Sequence, residues 1–428
     1  MGITKPIRHT NPLMKEGDFM NTLFVGIDVS SKSNVVYLML GNGDKHSNFS
    51  LPNSLDGSST LVKRIFKVAH EHSITKIHIG IEATSVYGDN LIYFLCEDNT
   101  LIEFERKIFV LNPRQVSKFK ESYNDLQKND WIDSFVIADC LRFGRINKEV
   151  YFGDYRYKAL QNLTRARFFT VQNLVKEKQR FMNILFKKYS TLTQEKVFSN
   201  TFSTTALAVY DDFESAEELA HMDLHELAAF ISEKGKNRFS DPEAVAKAIQ
   251  KAARSSYRLP KTINDSVNQV LSISITSIKA LESQIKEFDK AIATQMQLLP
   301  NVLSSIDGIG PVFSAGIMAE IGDINRFPSQ SQLAKYAGLA WKQKDSGDFH
   351  SQITNHINSG NRFLKYYLCE AAFSLVRCDT EYKRFYDLKY KEVNRFKHKR
   401  ALALTARKFV RLVFRLLKDN RLFIKSEK

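Results

Sequence analysis

The sequence predicts an α/β domain at its N-terminal end followed by an all-α remainder, and three observations carry that reading. Apolar residues alternate at period two between 23 and 40 and return as a buried run at 76–81; a heptad-spaced seam runs through 267–299; and seven glycines crowd the residues from 308 to 360. At 428 residues the chain is too long for one ordinary core, so more than one domain is expected.

Leu23, Val25, Ile27 and Val29 alternate as in a half-buried strand, and a second alternating run, Val35 to Leu40, ends at the Gly41-Asn42-Gly43 turn, which reads as a hairpin. A third short strand near Asn48 to Leu51 leads into a helix at about 57–72. Lys76 to Ile81 reads as a fully buried strand. A helix near Tyr87 to Glu97, a strand at Lys107 to Leu111 and helices beginning at Pro113 and Asn129 complete the order β-β-β-α-β-α-β-α, which is the ribonuclease H arrangement.

From about 155 to 299 the spacing becomes helical. Leu160, Leu163, Phe168, Val171, Leu174 and Val175 share one side of a first long helix; Leu271, Ile278, Ile285, Ile292 and Leu299, with Val267, Leu281 and Phe288 between them, form the a/d seam of a second. Two long antiparallel helices, a coiled-coil middle, are expected, serving either as an intramolecular hairpin or as a dimerisation element. The stretch 199–260 mixes turn residues with short helical pieces such as Ala216 to Ile231 and reads as an insert. The boundaries expected are a polar tail (1–20), an α/β domain (21–150), a helical middle (151–300) and a compact, mainly helical C-terminal domain (301–428).

Lys and Arg number 62 against 47 Asp and Glu, a net charge of +15 that favours a polyanionic partner. The last 48 residues hold 16 of the basic and 5 of the acidic side chains, so +11 of the excess is local. There Arg407, Arg411, Arg415 and Lys418 recur at helical spacing opposite Phe409, Val410, Leu412, Val413 and Leu416. Lys158, Arg165, Arg167, Lys176, Lys178, Arg180, Lys187 and Lys188 suggest a second basic surface. No stretch approaches the eighteen or more apolar residues of a membrane span, and the first nineteen residues lack the apolar run of a secretory signal. Cys96, Cys140, Cys369 and Cys378 lie far apart with no C-x-x-C pair, which fits reduced thiols and a cytoplasmic, nucleoid-associated protein.

Four carboxylates stand where a two-metal site would want them. Asp28 and Glu82 lie in apolar strands, where a charge costs several kcal/mol unless paired or metal-bound; Asp130 and Asp133 are three apart on one helix face. Together they suit Mg²⁺, or Mn²⁺, hard cations that take carboxylate oxygens. Gly308-Ile309-Gly310 resembles the turn of a helix-hairpin-helix, whose backbone N–H groups can hold a phosphate, and reads equally as an ordinary tight turn.

The runs Phe24-Val25-Gly26-Ile27-Asp28-Val29-Ser30, Gly80-Ile81-Glu82-Ala83-Thr84-Ser85-Val86-Tyr87-Gly88, Leu111-Asn112-Pro113-Arg114-Gln115-Val116 and Lys128-Asn129-Asp130-Trp131-Ile132-Asp133 resemble the DEDD-type insertion-sequence transposases, the "one-ten" family. Ile306 to Pro311, Ala319 to Ile324, Tyr336 to Ala340, Ser346-Gly347 and Gly360 to Lys365, with Arg362 and Lys365, resemble that family's C-terminal transposase domain in the same order. The resemblance implies a RuvC-like first domain with Asp28, Glu82, Asp130 and Asp133 as a metal-binding tetrad. It implies Ser346 as a nucleophile that links covalently to a DNA phosphate, with composite sites formed between protomers of a homodimer or homotetramer. It further implies double-stranded DNA partners, element ends and target, and a structured guide RNA. This sequence departs from the family's pattern at Asn129, Ser134, Asp345, Asp348 and Asn358-Ser359. Two other functions compete: a RuvC-like nuclease that resolves branched DNA by hydrolysis, without a covalent serine intermediate, and a nucleic-acid-binding protein with a decayed site.

Overall fold

A computed structural model of the chain describes residues 21–82, 86–123, 129–144, 154–195, 197–342, 345–346, 349–350, 355–356 and 359–425. The chain divides near residue 152 into two compact units.

In the first unit, β1 (Thr22–Val29), β2 (Ser33–Met39), β3 (Lys45–Pro52), β4 (Lys76–Glu82) and β5 (Glu105–Leu111) form one sheet in the order β3-β2-β1-β4-β5. The first three strands meander antiparallel, and β4 and β5 add parallel to β1. The helices are α1 (Leu55–Glu71), α2 (Asp89–Glu97), α3 (Pro113–Lys120) and α4 (Asp130–Arg142). The β-β-β-α-β-α-β-α order expected from the sequence is the order found.

The period-two alternation sorts the sheet into two faces. Leu23, Val25 and Ile27 with Ile77, Ile79 and Ile81 bury against α1 and α2, where Leu61, Ile65, Leu91 and Leu95 meet them. Phe24 on β1 faces the opposite way, onto α3 and α4, where it clusters with Phe109, Val116, Val136 and Ile137. His78 sits on that second face between the Phe24 and Phe109 rings, and burial pushes its imidazole down to about 4, which keeps it neutral. Gly26, Asp28, Gly80 and Glu82 share this face by the same alternation.

The second unit is helical. Its frame is α5 (Tyr155–Lys188); after it come α6 (Ser190–Gln194), α7 (Thr204–Asp212), α8 (Ala216–His221), α9 (Leu224–Lys234), α10 (Pro242–Ser255) and the long α11 (Lys261–Met296). The pairs Arg167–Asp289 and Lys178–Glu282, with the Ser274 hydroxyl donating to Glu177, set α5 and α11 antiparallel. Leu271, Ile278, Ile292 and Leu299 of the heptad seam are buried. The helix expected over 216–231 breaks in two, because Asp223 turns its carboxylate onto the N–H groups of His225 and Glu226 and starts α9 afresh.

The remainder is α12 (Pro311–Ile321), α13 (Gln330–Tyr336), the two-residue strands β6 (Trp341–Lys342), β7 (Asp345–Ser346), β8 (Phe349–His350) and β9 (Asn355–His356), then α14 (Arg362–Cys378), α15 (Thr380–Lys391) and α16 (Lys397–Asp419). Strands β6 and β9 pair, as do β7 and β8. Two hydrophobic cores share the long helices. One gathers Phe181, Leu185, Leu271 and Ile278 with α7 to α10; the other gathers Leu160, Ile292 and Met296 with α12 to α16. Among the described residues no helix is long and apolar enough to cross a membrane.

Candidate active site

Asp28 lies one residue from the end of β1 and Glu82 is the last of β4; their predecessors Ile27 and Ile81 are register partners in the parallel pair. The two carboxylates therefore leave neighbouring strands side by side and on one face. The helix that meets them begins at Asp130, with Asn129 as its cap: the Asn129 side chain accepts from the Ile132 N–H at 2.9 Å. Asp130 and Asp133 occupy its first turn, where the helix dipole favours negative charge.

Two glycines let α4 come this close. Gly26 and Gly80 are register partners on adjacent strands. A Cβ at Gly26 would lie 2.0 Å from the Ser134 carbonyl oxygen, and one at Gly80 2.8 Å from Leu141 and 2.9 Å from Ile137. A side chain at Gly26 would meet the backbone of the helix that carries the second pair of carboxylates and lift it, whereas one at Gly80 would press on the side chains of Leu141 and Ile137.

Asp28 and Glu82 feel burial and the charges around them. Burial first, then the charges of Asp133 and Asp130, push the Asp28 carboxyl above its usual range, against a backbone N–H at Val29 and the charge of Lys120. Glu82 is raised by burial, then by Asp28 and Asp133, with Lys120 again opposing. Lys120, at the end of α3, places its ammonium 2.6 Å from Asp133. Four carboxylates with one lysine fit a hard divalent cation in charge and in oxygen chemistry. They are gathered loosely: among the described residues, the trio whose candidate ligand atoms all lie within 4.8 Å of one another is His46, Glu71 and His72, not three of these four.

Reading the sequence missed Lys120, Gly26 and Gly80 as parts of this site. The two glycines had a visible signal, since each stands two residues before its acid in an otherwise apolar strand. It also missed Asp139, buried on α4, which accepts from the Tyr123 hydroxyl and pairs with Arg142 at 2.7 Å.

Ser346 lies in the second unit, in β7, with its backbone paired to Phe349; Gly347, Asp348 and Asn358 lie outside the described residues. Close packing fixes the foot of this segment. Gly338 and Gly360 both have positive φ, a Cβ at Gly360 would come within 2.5 Å of the Gly338 nitrogen, and the Asn361 N–H donates to the Tyr336 carbonyl at 2.7 Å. Asn361 caps α14 and also donates to Glu320 at 2.6 Å. Glu320, with no exposed side-chain surface, receives both arms of Arg165 at 2.7 and 2.9 Å. It was not anticipated, although a carboxylate inside the apolar helix α12 is the signal that flagged Asp28.

The basic residues divide. Arg165 and Arg167 point into ion pairs with Glu320 and Asp289, and Lys188 is buried rather than on a basic surface: its ammonium donates to the carbonyls of Tyr210 and Phe213, and burial pushes it down to about 8. Arg362 is exposed and stacks over Phe169 and Phe363, with Lys365 one turn further along α14. On α16, Arg411, Arg415 and Lys418 are exposed; Arg415 pairs with Asp419, Lys418 donates to Asn325, and Arg407 donates to the Gln330 carbonyl. Gly308-Ile309-Gly310 joins a single 3-10 turn, Leu303–Ser305, to α12, and the Gly308 carbonyl accepts from Ser374.

The comparisons with known proteins agree with one another. A DEDD-type IS110 transposase family matches residues 25–189, and the family described as "Transposase IS116/IS110/IS902 family" matches residues 301–387. Among relatives, the insertion element IS116 uncharacterized 44.8 kDa protein of Streptomyces clavuligerus is 26% identical over 332 residues, 76% of this chain and 79% of the relative. The insertion element IS900 uncharacterized 42 kDa protein of Mycobacterium paratuberculosis is 24% identical over 76% of this chain and 79% of its own length. An insertion element IS110 uncharacterized 43.6 kDa protein of Streptomyces coelicolor is 29% identical over 43% of this chain and 50% of its own. With both family matches in order along one chain and relatives spanning three quarters of it, this chain belongs to the IS116/IS110/IS902 family of transposases.

Proposed function

We propose that this transposase cuts and rejoins DNA with two sets of groups: Asp28, Glu82, Asp130 and Asp133 in a RuvC-like N-terminal domain, and Ser346 as the nucleophile. The observation that carries the reading is the gathering of four carboxylates at the ends of β1 and β4 and the first turn of α4, where two hold their protons above the ordinary range. Mg²⁺ or Mn²⁺ held there would offset the clustered negative charge and polarise a phosphate oxygen.

The chain's own part is positional. The strands fix Asp28 and Glu82, the glycine pair seats the helix that brings Asp130 and Asp133, and Lys120 holds Asp133. Ser346 then forms its Oγ–phosphorus bond as one sugar oxygen leaves and takes up a proton; attack by the hydroxyl of another strand reverses the exchange, so the phosphate ester is conserved throughout. The partners in this reading are double-stranded element ends and target, a structured guide RNA, and further copies of this chain in a homodimer or homotetramer. Arg362, Lys365, Arg407, Arg411, Arg415 and Lys418, with the Gly308–Gly310 turn, grip the phosphates.

Trapping on a denaturing gel tests the chemistry. The wild type yields a protein–DNA adduct on element-end DNA with Mg²⁺, and Ser346→Ala yields none. Strand cleavage by Ser346→Ala at the wild-type rate would remove the serine and leave hydrolysis by a metal-activated water, the nuclease reading, in its place.

A further inference from the structure

We propose that His46, Glu71 and His72 form a second metal site, one for a borderline divalent cation such as Zn²⁺, distinct from the carboxylate tetrad. Their candidate ligand atoms all lie within 4.8 Å of one another, and the two imidazoles meet edge to face with centroids 5.1 Å apart and planes at 88°. Two nitrogens and one carboxylate oxygen suit Zn²⁺, Co²⁺ or Ni²⁺ better than Mg²⁺, and three protein ligands leave a position for water.

The backbone presents these residues in an unusual way. The β2–β3 ladder runs Leu38 to Ser47 and then Met39 to Lys45, so His46 is the extra residue of a β-bulge on the edge strand, the device by which a strand re-aims a side chain. The His46 Nδ1 lies 2.9 Å from the Ser47 hydroxyl, a partner that orients the ring as outer-shell groups orient metal-bound histidines. Across from it, Glu71 ends α1 and His72 caps it, followed by Ser73 at a φ of +52°. The other neighbour of Glu71 is Lys67 at 3.7 Å, an exposed pair that a metal readily displaces. Tetrahedral bonds of about 2.1 Å would draw the donors together to roughly 3.4 Å; His46 is half-buried, and Glu71 and His72 are exposed.

The site joins the edge strand β3 to the end of α1, whereas the tetrad lies at the ends of β1 and β4 and the first turn of α4, so the two centres share no residue and no strand. A cation here would staple the edge strand β3 to the end of α1, and through mass action would stabilise the unit that carries the tetrad.

The test uses the full chain with saturating Mg²⁺, so that the tetrad is occupied, and Zn²⁺ alone as the probe. Calorimetric titration is expected to find a Zn²⁺ site whose occupation raises the melting temperature, and Co²⁺ in its place to give a ligand-field absorption band. His46→Gln/His72→Gln should weaken Zn²⁺ more than roughly a hundredfold, beyond what loss of an outer-shell partner does, and remove the thermal shift and the Co²⁺ band while far-ultraviolet circular dichroism is unchanged. Glu71→Gln, a single exposed change, serves if the double variant misfolds and should also weaken binding. Zn²⁺ affinity in these variants equal to wild type, or no Zn²⁺ binding by the wild type under saturating Mg²⁺, would overturn the proposal.

Discussion

Asp28 and Glu82 hold protons more tightly in the folded chain than in the unfolded one, and the sign of the consequence follows. Without metal, the folded unit binds more protons than the unfolded chain as pH rises from the ordinary values, 3.8 and 4.5, toward the raised ones, so stability falls across that window. In EDTA the melting temperature should decline through it, and Asp28→Asn/Glu82→Gln should flatten the decline and melt higher at neutral pH; an unchanged slope would remove the repulsion argument. Lys120 opposes both shifts, so Lys120→Ala should move the acid limb of the pH–activity profile to higher pH. The acids were legible because a charge inside an apolar strand needs a reason. Lys120 was not, since its meaning depends on where α3 ends in space. Histidines 46 and 72 were equally opaque: neither the bulge nor the meeting of strand and helix end is written in local residue type.

At the scale of elements, the alternation along β1 and the buried run of β4 were readable as strands, but that Asp28 and Glu82 leave them on one face follows only from their register. What the alternation could not supply was the seat of α4, which depends on Gly26 and Gly80 lying opposite each other across two strands that are far apart in sequence. Gly26→Ala should destabilise the chain by about 1–3 kcal/mol in urea and abolish strand cleavage, because the helix must rise off the sheet; retention of wild-type cleavage would show that α4 tolerates the shift. The Arg165–Glu320 pair makes an asymmetric prediction. Removing Arg165 leaves a fully buried carboxylate without its counter-charge, held only by the amides of Asn361 and Gln161, whereas removing Glu320 leaves an arginine that still reaches water. Arg165→Ala should therefore cost about 3 kcal/mol and Glu320→Gln distinctly less, measured by urea unfolding. The break at Asp223 was missed for a simpler reason: apolar periodicity continues across it, and only the cap reveals two helices.

For the whole molecule, the charge excess was visible as a number before it was visible as a surface. Several arginines counted toward it are engaged inside the fold, and α16 is no detachable tail, since Phe409, Val410 and Val413 are buried in the C-terminal core. Affinity for DNA should still fall steeply and linearly on a logarithmic salt scale, because several phosphates must be neutralised; a flat response would refute the role assigned to α14 and α16. Composite sites make a sharper prediction. Mixing inactive Asp28→Asn with inactive Ser346→Ala should restore strand exchange if the tetrad of one protomer serves the serine of another, and should restore nothing if each protomer works alone. Finally, α5 belongs to both cores of the second unit: its first turns pack with the serine-bearing portion and its last with the insert. Thirty-four residues make a rod of about 51 Å. A tilt of about 10° about one end would sweep the other through roughly 9 Å, which is the lever arm between the core of the insert and the core of the serine-bearing portion.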